Sequence, residues 1–330
     1  MDARVRLLAA DGDTLRDKAQ FCAHLSRIFE EEATADDIAH LFDQFDVDRD
    51  GRLNDDEFRS FEQHFIRPLT SLKAALLVVD YQNDFIDGSL AIGNGPAREN
   101  PLEALTPLNG LIESGLFELV VYTLDWHPSN HISFYPNARD NDRQLSEADI
   151  NRDLRVFDKV RFSTPACEQV LYPAHCVQES HGAELHPRLT LLPNALFVRK
   201  GIHTHVDSYS AFYDNNGEGK TELDEELRAR GISAAIVCGL AYDVCVAATA
   251  ADALRQGLMT AVVDDCSKGL DAAEMDKVRR QLTNDGAAIV LSTRAAEIVK
   301  GQYIPWRWAR SLADRVHARP SPPPSRPCDN

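Results

Sequence analysis

Residues 74–79 read Ala74-Ala75-Leu76-Leu77-Val78-Val79 and end on an acid, Asp80. Six apolar side chains in a row leave no face for water, so the run reads as a strand covered on both sides, the condition of a parallel sheet. Runs of the same kind recur at 119–123, 195–199, 234–238, 260–264 and 287–291. Helical periodicity fills the intervals at 101–114, 221–230, 243–256, 271–284 and 293–300. This βαβ alternation predicts an α/β fold: a doubly wound, mostly parallel six-stranded sheet with helices on both faces. The stretch 125–194 is polar, rich in Pro, His and Asp and weak in periodicity, so it reads as a long loop serving a site.

Upstream of residue 70 the pattern is different. Phe21, Leu25, Ile28 and Phe29 fall at helical spacing, Thr34 opens a second helix carrying Ile38, Leu41, Phe42 and Phe45, and a third runs over 55–66. Seventeen of the 52 acidic side chains lie in these first 70 residues, about a fifth of the length, which marks a separate small all-α unit. Within it, Asp46-Val47-Asp48-Arg49-Asp50-Gly51-Arg52-Leu53-Asn54-Asp55-Asp56-Glu57 has the spacing of an EF-hand calcium loop. Asp46, Asp48, Asp50 and Glu57 offer carboxylates at loop positions 1, 3, 5 and 12, with Arg52 at position 7, Asn54 at 9 and glycine at 6 for the turn. A paired loop at Asp11-Gly12-Asp13 onward would be degenerate, because the glycine and the final acid are missing. The expected division is residues 1–70 as a calcium-binding unit, 71–315 as the α/β domain and 316–330 as a disordered Pro-rich tail.

At 330 residues the chain can bury a sizeable core, and with 44% hydrophobic and 26% charged residues it has ordinary globular composition. No run approaches the ~20 apolar residues of a membrane span, and a net charge of −17 disfavours nucleic acid and anionic lipid. Small molecules and cations are the expected partners, and homo-oligomer formation is left open. Seven cysteines, without a Cys-x-x-Cys pair, read as reduced thiols. The first residues lack a secretory apolar stretch, so an intracellular, cytoplasmic or nuclear, location is expected.

Chemically loaded residues follow four of the expected strands: Asp80, Asp125, Lys200 and Cys245. In open α/β sheets ligands bind beyond the carboxyl ends of strands, so these four should converge. A thiol, a carboxylate and an ammonium supply nucleophile, general acid/base and electrostatic support. Cys245 is expected in the first turn of the helix over 243–256, where unpaired N–H groups would favour its thiolate. Asp125, His127 and His175 are ligands of the type used by zinc, iron or manganese, and His131 is a further ligand or a support. Cys238 reads as core, and His203 and His205 as loop residues.

The ordered set Val79-Asp80-Tyr81-Gln82-Asn83-Asp84-Phe85, Asp125-Trp126-His127-Pro128, Pro173-Ala174-His175-Cys176-Val177, Lys200-Gly201 with Asp207-Ser208-Tyr209-Ser210-Ala211-Phe212, and Gly239-Leu240-Ala241-Tyr242-Asp243-Val244-Cys245 resembles the nicotinamidases of the isochorismatase-like cysteine hydrolase superfamily. The resemblance covers about residues 72–305, and with the EF-hand it is similar to invertebrate nicotinamidases. It implies a triad of Asp80, Lys200 and Cys245; a divalent metal on Asp125, His127 and His175, zinc first; and a cis Leu240–Ala241 peptide. It further implies an oxyanion hole from the Ala241 and Cys245 N–H groups, and substrate contacts from Phe85 and from Tyr172, where the family often has tryptophan. The implied reaction is hydrolysis of nicotinamide to nicotinate and ammonia through a Cys thioester, in NAD salvage. Calcium modulation of that reaction is one expectation for the EF-hand, beside stabilising the fold or mediating assembly. The rival readings are another amidase of the superfamily, such as an N-carbamoyl amide hydrolase, or a calcium-responsive binding platform with an inactive hydrolase domain. A papain-like protease is disfavoured because an Asp stands where a His base would be needed.

Overall fold

The structure is a computed structural model that describes residue 3, residues 12–30 and residues 32–317. The N-terminal unit holds α1 (Lys18–Ile28), α2 (Ala35–Phe45) and α3 (Asp55–Phe61). Helix starts follow the local chemistry: Thr34 and Asp37 cap α2 reciprocally, and Asn54 and Glu57 do the same for α3. The third helix runs on through a wider turn at Glu62–Ile66 and a last turn at Arg67–Thr70, so only three residues separate it from the first strand. Phe21, Phe42, Phe45, Phe61 and Phe65 pack edge-to-face, tilted or stacked, with ring centroids 5.0–6.3 Å apart.

Nine strands follow: β1 (Ala74–Val79), β2 (Leu119–Asp125), β3 (Gln144–Leu145), β4 (Lys159–Thr164), β5 (Ala166–Val170), β6 (Leu196–Lys200), β7 (Ala234–Leu240), β8 (Met259–Lys268) and β9 (Ala288–Val290). Six of them form the expected parallel sheet, in the order β6-β2-β1-β7-β8-β9. Leu76 and Val78 of β1 point to one face, and Ala75, Leu77 and Val79 to the other. The first face is covered by α4 (Leu105–Glu113), α8 (Ser292–Lys300) and α9 (Trp306–His317). The second is covered by α5 (Leu223–Ala229), α6 (Ala247–Arg255) and α7 (Ala272–Asn284). Among the described residues no helix is long and apolar enough to cross a membrane.

Two expectations are corrected. The polar stretch 125–194 contains a three-stranded antiparallel sheet, β3-β4-β5. Its pattern is legible afterwards: Val160 and Phe162 point inward between exposed neighbours, but only two apolar residues alternate, too few to stand out. The second correction is α9, which extends to His317, two residues into the span expected as a tail. The remainder of that expectation, 318–330, lies outside the described residues.

Helix α9 is held to both units. Trp308 Nε1 donates to Thr260 O at 2.8 Å and Arg315 to Gly257 O at 2.8 Å on the sheet side. Towards the N-terminal unit, Trp306 packs on Phe29 with centroids 5.1 Å apart, and Gln44 donates to Asp314 at 2.9 Å. The apolar cluster under the first face of the sheet therefore runs without a break into the phenylalanine cluster of residues 21–65. Trp308 is 2% exposed, so Trp308→Ala is expected to destabilise the fold by about 3–5 kcal/mol, read as a lowered midpoint in denaturant unfolding at unchanged slope.

Candidate active site

From β1 the chain steps outward one way through β2 to β6 and the other way through β7 and β8 to β9, so the order reverses at the β1/β7 boundary. A crevice opens at such a reversal beyond the carboxyl ends of the strands. Asp80 follows the end of β1, Asp125 ends β2, Lys200 ends β6, and Cys245 lies five residues past β7. All four are buried, and the structure brings them together.

Lys200 is the centre. Its Nζ lies 2.5 Å from Asp125 Oδ1, 2.8 Å from Ser208 O, 2.9 Å from Asp80 Oδ2 and 3.4 Å from Cys245 Sγ. An ammonium has three N–H donors, and these are directed to Asp125, Ser208 O and Cys245. Asp80 Oδ2 is thus ion-paired by proximity yet accepts no well-directed hydrogen bond. Its other oxygen is held by the Thr123 hydroxyl at 2.6 Å. A carboxylate oxygen left without a donor is the one prepared to accept a proton. Asp80 also has a φ of 47°, a conformation uncommon outside glycine and one that functional sites tolerate.

The charges follow from burial and contact. Burial raises the Asp80 carboxyl above the ordinary carboxylate range, and the Lys200 ammonium only partly offsets it. Burial would raise Asp125 too, but Lys200 and His127 outweigh that and hold it below the usual range. Lys200 is kept charged against its burial by Asp125 and Asp80. Burial pushes the Cys245 thiol well up. That direction runs against the expected helix-favoured thiolate, and the helix is not where the residue sits: Cys245 lies in a wide π-type turn, Tyr242–Val246, that precedes α6. The atoms of Asp80, Asp125 and Cys245 lie within 4.8 Å of one another.

Beside them, Asp125, His127 and His175 offer ligand atoms within 4.8 Å of one another. His127 Nε2 and His175 Nε2 stand 3.6 and 3.9 Å from Asp125 Oδ2. Each Nδ1 is engaged by a carbonyl, Gly201 O at 2.9 Å and Pro173 O at 2.8 Å, which leaves the Nε2 lone pairs directed at the carboxylate. Burial and neighbouring His127 pull His175 down to about 4, so it stays a neutral donor. The donor set fits a divalent transition metal. Gly201 is required here: its φ is +63°, and a side chain would meet the His127 ring at 2.3 Å. His131 is a support, because Ser133 Oγ at 2.7 Å and Val206 O at 3.2 Å engage both its nitrogens while its ring stacks on His127.

The pocket over this floor has Phe85, Leu90, Ile92, Val244 and Leu270 as apolar walls, with Tyr172, Asp207 and Tyr209 completing it. The Leu240–Ala241 peptide is cis, as the resemblance implied. Sequence reading did not single out Thr123, Gln82, Asp207 or Tyr209. Gln82 bonds both the N–H and the C=O of Asp125 at 2.8 Å, fixing β2 against β1. Gln82 lay inside a motif already noticed, whereas Thr123 was hidden in a strand where it reads as filler.

Residues 74–295 match the isochorismatase domain. The chain belongs to the isochorismatase family. Among curated members it is 39% identical over 198 residues to the nicotinamidase of Acinetobacter baylyi, covering 60% of this chain and 82% of that one. A solved nicotinamidase/pyrazinamidase of Acinetobacter baumanii superposes with a TM-score of 0.58 at 38% identity, covering 68% of this chain and 98% of that one. The pyrazinamidase of Pyrococcus horikoshii, solved in complex with zinc, gives 0.50 at 28% identity, covering 66% and 99%.

A second carboxylate cluster lies in the N-terminal unit, where the oxygens of Asp46, Asp48 and Glu57 fall within 4.8 Å of one another. Asp46 is 3% exposed and its Oδ1 is buried without a partner, while Oδ2 accepts from Gly51 N at 3.0 Å. Gly51 has φ +83°, the left-handed turn that wraps the loop round this point. Asp50 accepts from Arg52 N at 2.7 Å. The loop is braced from outside by Arg16 O, which accepts from Leu53 N at 2.8 Å.

In this family member the buried ammonium between two carboxylates is the electrostatic keystone. Lys200→Met is therefore expected to cost about 3–5 kcal/mol at pH 7, because two acids lose their shared cation. Chemical denaturation checks it; a loss under about 1 kcal/mol would show that the cluster relaxes by protonation.

Proposed function

We propose that this chain is a nicotinamide amidohydrolase that converts nicotinamide and water to nicotinate and ammonia. The chain is a hydrolase of amide bonds by its family and its curated relatives. The observation that carries the finer reading is the trio Asp125, His127 and His175, two of which, Asp125 and His175, line one largely apolar pocket together with Cys245. A flat heteroaromatic amide fits such a pocket, with its amide at the thiol and its ring nitrogen towards the trio. Bound there, a divalent metal, zinc first and iron or manganese as alternatives, would supply a Lewis-acid anchor for the pyridine nitrogen.

The rest is done by the chain's own groups. Asp80, through Oδ2, takes the Cys245 proton, and Lys200 steadies the thiolate as it forms. The sulfur attacks the carboxamide carbon, and the backbone N–H groups of Ala241 and Cys245 hold the oxyanion. Asp80 returns the proton to the departing ammonia, which leaves a Cys245 thioester. Asp80 then takes a proton from water, the water oxygen attacks the thioester, and sulfur leaves to regain its proton. Phe85 and Tyr172 flank the ring. Nicotinate so released is available for NAD salvage.

Residues 1–70 act as a calcium-binding EF-hand unit like that of the invertebrate nicotinamidases, and 71–315 as the hydrolase domain. Calcium would be held by Asp46, Asp48, Asp50, Glu57 and the Arg52 carbonyl. The orphaned, buried Asp46 Oδ1 supports this reading. Modulation of the hydrolase has a physical route in the apolar core the two units share.

Purified protein should release ammonia from nicotinamide, and Cys245→Ala should lower the rate by at least about 10³-fold while metal content by elemental analysis stays unchanged. A Cys245→Ala rate near wild type would sink the nucleophile assignment. Calorimetric titration should show one calcium site, weakened at least about tenfold by Glu57→Gln. Equal turnover in calcium and in a calcium-selective chelator would remove modulation and leave a structural ion.

A further inference from the structure

Phe157 combines three properties that do not belong together by chance. Its backbone has φ 72°, its side chain is 56% exposed, and its ring meets the edge of Tyr172 with centroids 6.1 Å apart at 82°. The left-handed conformation is strained for an aromatic residue and free for glycine. An exposed ring gains little from burial in return. Strain of this kind persists where surrounding structure imposes it, and it tends to mark sites.

The surroundings do impose it. Residues 155–158 form a tight turn closed by Asp158 N donating to Arg155 O at 3.1 Å, with Phe157 at the third position, where glycine or asparagine is the usual choice. The Asp158 carboxylate accepts from Arg155 N at 2.8 Å and pairs with Arg152 at 3.1 Å. Two backbone bonds then tie the turn to the residue before Tyr172: Phe157 N donates to Leu171 O at 2.6 Å, and Leu171 N donates to Asp158 O at 2.9 Å. The turn is thereby held in register with Tyr172, and its ring is presented to that side chain.

Tyr172 lines the pocket and is gripped from its other sides by His175, 5.7 Å between centroids, and by Tyr209, with 3.4 Å between hydroxyl oxygens. We infer that Phe157 is a positioning residue for substrate binding: from outside the pocket it buttresses Tyr172 against the ring of the bound heteroaromatic amide. Without that ring behind it, Tyr172 loses its outer support, and the pocket wall loosens while the chemistry at Cys245 stays in place. This inference rests on the nicotinamidase reading for its substrate.

The test uses the full chain with Phe157→Gly, Phe157→Ala and Phe157→Tyr. Glycine and alanine should raise KM for nicotinamide at least about fivefold with kcat within about twofold, whereas tyrosine, which keeps the ring, should leave both within about twofold. Glycine removes the strain together with the ring, so it should melt no lower than wild type while binding worse, a pairing that simple structural damage does not produce. Hydrogen exchange across 171–176 should quicken in the glycine and alanine variants and not in tyrosine. Unchanged KM in both truncations, or a tyrosine variant as impaired as alanine, overturns the assignment. If the wild type releases no ammonia from nicotinamide, the substrate reading falls, and the exchange pattern alone decides whether Phe157 holds Tyr172.

Discussion

The active end of the sheet depends on one buried ammonium. Two carboxylates, Asp80 and Asp125, and a thiol converge where three strands end, and only Lys200 makes that concentration of acid tolerable away from water. Because Lys200 gives its donors to Asp125, Ser208 O and Cys245, the two acids are not equivalent. Asp125 is held below the usual carboxylate range, the charged state in which a carboxylate can ligate a metal, and Asp80, with one oxygen that accepts no directed hydrogen bond, has a raised affinity for a proton. A single geometric asymmetry thus separates the two acids.

Around that keystone the fold supplies rigidity by direct backbone clamps. Gln82 spans from β1 to both polar groups of Asp125, Thr123 reaches back to Asp80, and Asp84 accepts from Cys176 N at 2.7 Å, fixing the segment that carries His175. Each clamp links two elements far apart in sequence, so strands that arrive independently are held in one arrangement. On the aromatic wall, Tyr172 meets the rings of Phe157 and His175 and the Tyr209 hydroxyl, and Phe157 comes from the turn at 155–158 that leads into the small antiparallel sheet.

The N-terminal unit is joined to the hydrolase twice, through the helix that leads into β1 and through α9. Helix α9 presents Trp306 to Phe29 and Trp308 to the β8 backbone, so one amphipathic helix satisfies both bodies. A change in packing of the phenylalanine cluster would be felt under the sheet because no solvent layer separates them.

Much was legible in the chain itself. The six apolar runs coincide with all six parallel strands; β1, β2 and β7 are buried throughout, as expected, whereas the edge strand β6 turns Phe197 and Arg199 to solvent, against the expectation that both its faces are covered. The residues at the strand ends and the acidic loop at 46–57 were also visible, because oxygen, nitrogen and sulfur groups recur there at fixed spacing. Other features waited for the tertiary structure. The antiparallel sheet at 144–170 has only a weak alternation, and the helix at 306–317 was not read as one, because its two tryptophans find their partners on separate bodies. The upward push on the Cys245 thiol comes from burial, which no local pattern reports. Phe157 was invisible as a site residue, since its importance lies in a left-handed turn and a neighbour fifteen positions away. Sequence by itself determined which groups could do chemistry and which strands would carry them, because both are properties of residue type and period. Tertiary structure alone decided which acid receives the Lys200 hydrogen bond, how deeply the thiol is buried and which ring stands behind Tyr172, because each is set by distance and desolvation across the fold.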